Sequence, residues 1–450
     1  MVGLGLTGEA VARRAADEGG EVTVVDDRPS SAGFAERAAR LAPLGVAVVA
    51  EPDAAALARL VRGADLVVPS PGVPESHPVY DLARRSGVAL VSEVELAAAT
   101  ARHLGRTLVA VTGTNGKTTV TTMVAQMLQD GGIRAVAAGN IGRPLVDAVH
   151  DDVEVVVAEV SSFQLRFTDT FRPRVAVLLN AAPDHLDWHP DFDSYVAAKA
   201  RIFANQSGDD LLVYNADDAA VRRAAEAAPA RKVAFTLRPR TAHGGPVYGV
   251  AGGCLTRADG SPFLPVADLA RSGPHDIANA LAAAAAAFAA GAGEAAVASV
   301  LRSFAGLPHR VTPVGQSGGV TFVDDSKATN PHATLAALAG FDSVVLIAGG
   351  RNKGLDLGVL RSEAGRVRAV VAIGEAAGEV AACFEGVRPV QRAGSMAEAV
   401  QRAAGLAEPG DTVLLSPACA SFDWYRSYGE RGDDFAARVR ALTEPDASLA

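Results

Sequence analysis

The chain has 450 residues, 49% hydrophobic and 21% charged, with a formal net charge of −9. That describes an ordinary folded protein of roughly two to four domains, and an acidic chain without a basic block argues against nucleic acid or an anionic membrane as partner. Cys254, Cys383 and Cys419 lie far apart with no C-x-x-C, which argues against a disulfide framework or a thiolate zinc site. The opening residues carry no secretion signal, and the longest low-polarity run, 281–291, is too short to span a bilayer. A soluble cytoplasmic protein without membrane insertion is the expectation.

The first element is G-L-G-L-T-G at 3–8, which opens a helix over 9–18 and is followed by a strand over 22–26 ending in Asp26. This is a nucleotide-binding βαβ pattern, with the acid placed where a ribose or base would sit. Only Met1 and Val2 stand before Gly3, where a whole strand is expected. That predicts weakened binding at this site. The run 64–74 reads as a strand entering a rigid loop with Ser70 and Gly72, either a ligand loop or a plain turn.

A second unit begins near 96–105 with the strand that leads to G-T-N-G-K-T-T at 113–119. An apolar strand over 108–112, a Gly-bounded loop and a helix over 117–128 form a phosphate cradle, because backbone N–H groups and the helix dipole both favour an anion there. Gly113, Thr114, Asn115, Gly116, Lys117, Thr118 and Thr119 make up the loop. Lys117 can reach the β- and γ-phosphates, and a threonine hydroxyl can hold Mg²⁺. The longer P-loop pattern has glycine at the position of Val111. Next, a buried-type strand ends at Glu159, well placed for Mg²⁺ or for capping a turn. A strand over 175–180 runs into Asp184, His185, Asp187 and His189, where Asp, His and Asp suit a hard cation or acid–base work better than zinc. On the helix predicted over 193–205 the spacing alone makes Lys199 a surface lysine. An alanine-rich helix follows His275, at 280–290. A last unit has four strands (320–324, 344–350, 369–374 and 412–415), each entering a polar or glycine loop, which is an open α/β sheet. Cys419 lies among small residues with no base nearby and reads as packing.

Taken together, G-T-N-G-K-T-T (113–119), G-N-I-G (139–142), E-V-S-S-F-Q-L (159–165), D-H-L-D (184–187), A-A-K-A-R-I (197–202), L-P-H-R (307–310), D-D-S-K-A-T-N (324–330) and S-P-A-C-A-S-F-D (416–423) occur in this order. The chain resembles the Mur ligases, most of all the branch that joins D-glutamate to UDP-N-acetylmuramoyl-L-alanine. The resemblance covers nearly the whole chain. It implies an α/β protein of three domains: a Rossmann-like UDP-binding domain at 1–95 with its first strand clipped, a P-loop ATPase domain with a mostly parallel sheet at 96–306, and a Rossmann-like domain at 307–450 that closes on amino acid and ATP.

The implied chemistry is ATP-driven amide formation through an acyl phosphate and a tetrahedral intermediate, by a cytoplasmic monomer, with two Mg²⁺ ions. Thr118, Glu159, His185 and a carbamylated Lys199 would hold metal, and Lys117, Glu159, His185 and Lys199 would serve catalysis. Asn279, Arg310, Asp325 and Lys327 would join the P-loop around ATP, with His275 nearby. Leu6, Thr7, Asp26, Asp27 and Arg28 would hold the uracil end. Ser70, Gly72 and Asn140 would hold the diphosphate and sugar. Thr329, Lys353, Ser421, Phe422 and Tyr428 would receive D-glutamate. Asp276 stands where the family has Asn, Asp27 where well-known members have a hydroxyl, and Arg351 where some carry an acid. Weakened binding of the UDP substrate with intact ATP binding is expected. Two rivals compete. A folylpolyglutamate synthase-like ligase is argued against by the opening glycine motif and by 416–423, while a nicotinamide oxidoreductase leaves the P-loop, Glu159 and His185 without work.

Overall fold

The computed structural model describes residues 1–186, 188–242 and 244–443. Asp187, the last residue of D-H-L-D, lies outside them. The chain forms two compact units: Met1–Ala181 with Asp193–Leu269 and Asn279–Ser303, and Ala182–Phe192 with Ala270–Ala278 and the chain from Phe304 onward.

The first unit is built on a nine-stranded sheet. Its order is Pro262–Pro265, Cys254–Thr256, Val247–Ala251, Arg231–Phe235, Leu211–Asn215, Val175–Leu178, Thr107–Thr112, Val155–Glu159, Ala135–Gly139. The seven strands from Val247–Ala251 onward are parallel, and the first two form an antiparallel edge. Every residue of Val155–Glu159 is buried. A run of valines with no polar alternation is what a strand covered on both faces requires. Helix Lys117–Asp130 packs against this part of the sheet. The alanine-rich helix begins at Pro274 and runs to Ala289, buried from Ala280 to Ala287, so small side chains serve close packing there.

The N-terminal part has two short parallel pairs, Thr23–Asp26 with Ala47–Ala50 and Leu66–Val67 with Ala89–Leu90. Val2 bridges both Val25 and Pro69 in parallel. One residue therefore holds the strand position ahead of Gly3. Helix Glu93–His103 follows, and it is anchored by a buried carboxylate: Glu95 accepts hydrogen bonds from the backbone N–H groups of Asp169, Thr170 and Phe171. Hydrogen bonds to a charged group contribute about 1.5–3 kcal/mol each.

The second unit has a six-stranded sheet in the order Thr312–Ser317, Val320–Asp324, Thr412–Leu415, Val344–Gly349, Val367–Ile373, Val390–Ala393. The first strand is antiparallel and the rest are parallel. The four central strands are those expected from the sequence. The two edge strands were not expected.

Candidate active site

In the first unit, strand Thr107–Thr112 lies between two parallel neighbours and delivers loop 113–116 to the N-terminus of helix Lys117–Asp130. Gly116 has φ +84°, and a Cβ there would come within 2.6 Å of Asn279 Oδ1. Only glycine fits, and Asn279 therefore lies against the loop. Asn180, at the end of the neighbouring strand, pins the loop: Asn115 N–H donates to its Oδ1 at 2.8 Å, and its Nδ2 donates to Asn115 O at 3.1 Å. Thr114 Oγ1 and the Tyr195 hydroxyl are 3.0 Å apart. Lys117 Nζ donates to the carbonyls of Gly113 (3.0 Å) and Thr114 (2.9 Å). Thr118 is buried and Thr119 half-buried.

Lys199 is not a surface lysine. It is 2% exposed, its Nζ donates to Gly113 O at 2.9 Å, and it lies 4.3 Å from the centre of the Tyr195 ring. The polar contact comes from a loop distant in sequence, so helical spacing could not reveal it. Lys117 and Lys199 share one carbonyl acceptor.

Glu159 ends its strand 2% exposed. Its Oε1 accepts from Asn140 Nδ2 at 2.8 Å. Its Oε2 is buried without a hydrogen-bond partner. An unmatched buried carboxylate oxygen is costly, and a cation removes that cost. This orphan oxygen fits Mg²⁺. Among the described residues no three His, Cys, Asp or Glu side chains converge as a cage. Mg²⁺ needs none, since it prefers one or two protein ligands with waters and phosphates.

Around the N-terminal motif, Leu6 is 67% exposed and Thr7 half-buried at the start of helix Leu6–Asp17. Gly8 permits a close approach, because a Cβ there would collide with Gly3 O. Both Asp26 oxygens accept backbone N–H groups, from Leu4 and from Arg28 at 2.7 Å, so this acid shapes the loop. Ser70 Oγ donates to Gly3 O at 2.8 Å, while Arg28 and Gly72 are exposed.

In the second unit, Lys353 Nζ lies 2.5 Å from Asp184 Oδ1, and Asn330 Nδ2 donates to Asp184 Oδ2 at 3.0 Å. Burial pushes the Asp184 carboxyl up, but the charges of His185 and Lys353 outweigh it and hold it below the usual carboxylate range. His185 Nε2 is 3.7 Å from Asp184. Asp325 is fully buried, which pushes its carboxyl up to about 7 against the Ser416 hydroxyl and the Arg310 charge. Lys327 Nζ lies 4.7 Å from the centre of the Tyr428 ring, joining an expected ATP residue to an expected amino-acid residue. Ser421 is buried, Thr329 half-buried and Phe422 63% exposed. The acid at Asp276 does not stand alone: Arg271 Nε lies 3.0 Å and His275 Nε2 3.4 Å from its Oδ1. Burial pushes the His275 imidazole down. Arg351 pairs with Glu375 at 2.9 Å. Cys419 is 1% exposed, with burial pushing its thiol up to about 12, as packing requires.

Sequence reasoning missed Asn180, the contact between Tyr195 and Thr114, the 2.7 Å pair of His309 Nδ1 with Asp324, and buried Arg431. Backbone strain marks some of the same loops. His185, His309, Val311 and Ala418 have φ between +47° and +60°. Non-glycine residues seldom adopt that region, and strained backbone clusters at functional sites.

Residues 1–92 match the family model described as Mur ligase MurD-like, N-terminal domain. Residues 111–287 match the Mur ligase middle domain, and 309–419 the Mur ligase, glutamate ligase domain. The UDP-N-acetylmuramoylalanine–D-glutamate ligase of Frankia casuarinae is 47% identical across 98% of this chain and 93% of its own. The chain belongs to the Mur ligase family. The ligase of the same name from Thermobifida fusca is 42% identical across 98% of both chains. The solved MurF of Acinetobacter baumannii shares the fold at a TM-score of 0.61, with 19% identity, across 95% of this chain and 92% of its own. This Mur ligase thus has the mixed α/β architecture of three domains that its sequence implied. Among its described residues no helix is long and apolar enough to cross a membrane.

Proposed function

We infer that this Mur ligase is an ATP-dependent amide ligase that joins D-glutamate to UDP-N-acetylmuramoyl-L-alanine in the synthesis of peptidoglycan precursors. The observation that carries the reading is the 47% identity, over 98% of the chain, to a ligase of that name. Its domains run over 1–95, 96–306 and 307–450, and limited proteolysis that cleaves only away from residues 95 and 306 contradicts those bounds. It acts as a cytoplasmic monomer, and elution at twice the monomer mass contradicts the monomer.

The acceptor carboxylate attacks the γ-phosphorus of ATP, forming a C–O–P bond as ADP leaves. The amine of D-glutamate then forms the C–N bond as phosphate leaves. Carboxylate and triphosphate repel each other, so positive charge must lie between them. Lys117 and the backbone N–H groups of loop 113–119 hold the phosphates. Asn279, Arg310, Asp325 and Lys327 hold the rest of ATP. Thr118, Glu159, His185 and Lys199 would hold two Mg²⁺ ions, which would supply positive charge between acceptor and phosphate. Leu6, Thr7, Asp26, Arg28, Ser70, Gly72 and Asn140 hold the acceptor. This path sends one acceptor carboxylate oxygen into the released phosphate. With ¹⁸O-labelled acceptor carboxylate, labelled phosphate is expected, and unlabelled phosphate contradicts the path.

Lys199 carries a carbamate in this reading. Its neutral amine attacks CO₂, forming a C–N bond and releasing a proton. Lys199 is 2% exposed, and its Nζ shares the Gly113 carbonyl with Lys117. Incubation with ¹³CO₂ should give a carbamate resonance that Lys199→Arg abolishes. A wild-type spectrum without one removes the carbamate.

Lys353, Thr329, Ser421, Phe422 and Tyr428 receive D-glutamate. Lys353 already holds a carboxylate, that of Asp184, in a half-buried setting. Replacing it by alanine is expected to raise KM for D-glutamate about 10- to 100-fold, since charge-assisted hydrogen bonds contribute about 1.5–3 kcal/mol. An unchanged KM takes Lys353 out of the site.

A further inference from the structure

Two loops follow parallel strands in the N-terminal part of the first unit. One follows Thr23–Asp26 and carries Asp27 and Arg28. The other follows Leu66–Val67 and carries Ser70, Gly72 and His77. Between them stands a pair that joins Asp27, expected at the uracil end, to His77, which has no role in the acceptor site so far. His77 Nε2 lies 2.8 Å from Asp27 Oδ2. The imidazole is 11% exposed and the carboxylate 53%.

The local chemistry fixes the tautomer of a neutral His77. It is the N-cap of helix Pro78–Ser86, and its Nδ1 accepts the backbone N–H of Val79 at 3.1 Å. Nδ1 must then be unprotonated, so Nε2 carries the proton and donates it to Asp27. The ring is held from its own side as well. His77 N–H donates to Pro74 O, Val73 N–H donates to Ser70 O, and the Tyr80 hydroxyl donates to Val73 O at 3.0 Å. The loop from Ser70 to His77 is thus braced by its own hydrogen bonds, whereas Asp27 is exposed. A rigid partner gripping an exposed carboxylate orders the loop that bears it, and an ordered loop loses less conformational entropy when a ligand binds.

We propose that His77 and Asp27 form a clasp that sets the two acceptor-binding loops against each other, making His77 a positioning residue for the UDP end of the acceptor. The clasp also gives Asp27, an exposed acid expected at the uracil end, a partner that draws its charge to one side. The inference rests on the acceptor reading above.

The test is calorimetric titration of the full chain with UDP-N-acetylmuramoyl-L-alanine, alongside steady-state KM for the acceptor and for ATP. His77→Asn keeps an N-cap side chain but is too short to reach Asp27. It is expected to weaken acceptor binding about fivefold, the worth of one partly exposed charged hydrogen bond, with KM for ATP unchanged. Asp27→Ala, which removes the acceptor of that hydrogen bond, should act alike, and the double variant should lose no more than the worse single one. Unchanged acceptor binding in His77→Asn overturns the clasp, and so does a double variant with multiplied losses. Rescue of the single losses in the double variant also overturns it, since it would mean that the free charge acts and not the loop geometry. If the wild-type chain does not bind the acceptor at all, the acceptor reading falls, and that outcome is distinct from the other three.

Discussion

Replacing Lys117 by alanine is expected to lower kcat/KM for ATP about 10²- to 10³-fold, the usual loss when one preorganised donor to a developing anion is removed. The Nζ of Lys117 rests on the carbonyls of Gly113 and Thr114 at 3.0 and 2.9 Å, at the mouth of a loop that opens a helix. Helix-terminal N–H groups remain in the variant, so phosphate recognition weakens without vanishing. The loop itself should persist, because Asn115 and Asn180 hold it independently at 2.8 and 3.1 Å. The variant should lose little stability, since Lys199 Nζ still donates to Gly113 O at 2.9 Å. Steady-state kinetics with urea unfolding separate these effects. A kcat/KM within twofold of wild type contradicts the role of Lys117.

The second large effect is on stability. Arg431 is 1% exposed. Its Nε donates to Ser326 Oγ at 3.0 Å, its Nη1 to Cys419 O at 3.1 Å, and its Nη2 to Ser326 O at 2.8 Å and Cys419 O at 3.1 Å. Burial lowers its pKa to about 10, so it stays charged at neutral pH. One guanidinium thus ties together the loop of Asp325, Lys327 and Thr329 and the loop that leads to Ser421. Arg431→Ala leaves two buried carbonyls and a cavity, at a cost of about 3–5 kcal/mol in urea unfolding. Arg431→Lys should recover less than half of that, because an ammonium lacks the planar fork. Where the variant folds, KM should rise for both ATP and D-glutamate. A loss below about 1 kcal/mol contradicts the staple.

What was legible in the sequence was local. Glycine, lysine and threonine at a strand-to-helix junction announce a phosphate loop, because each residue type there answers a backbone or charge requirement within a few positions. The valine run ending at Glu159 announces a buried strand for the same reason. What was not legible depends on partners distant in sequence. The burial of Lys199 is set by Gly113, 86 positions earlier. Arg431 reaches Ser326, 105 positions earlier. The edge strand Thr312–Ser317 contains Pro313 and Gly315 and reads as a loop, yet an edge tolerates a proline that a central strand would not. Asp276, which stands where the family has Asn, is a different case: its partner Arg271 is only five positions earlier, and the spacing alone did not mark the pair.

The measurement that bears most directly on the account is phosphate release from ATP with UDP-N-acetylmuramoyl-L-alanine, with and without D-glutamate and with L-glutamate or other amino acids in its place. The account predicts sustained release only when the acceptor and D-glutamate are both present. Equal or faster release with another amino acid would contradict the assigned substrate, and release that ignores the acceptor would contradict the ligase itself.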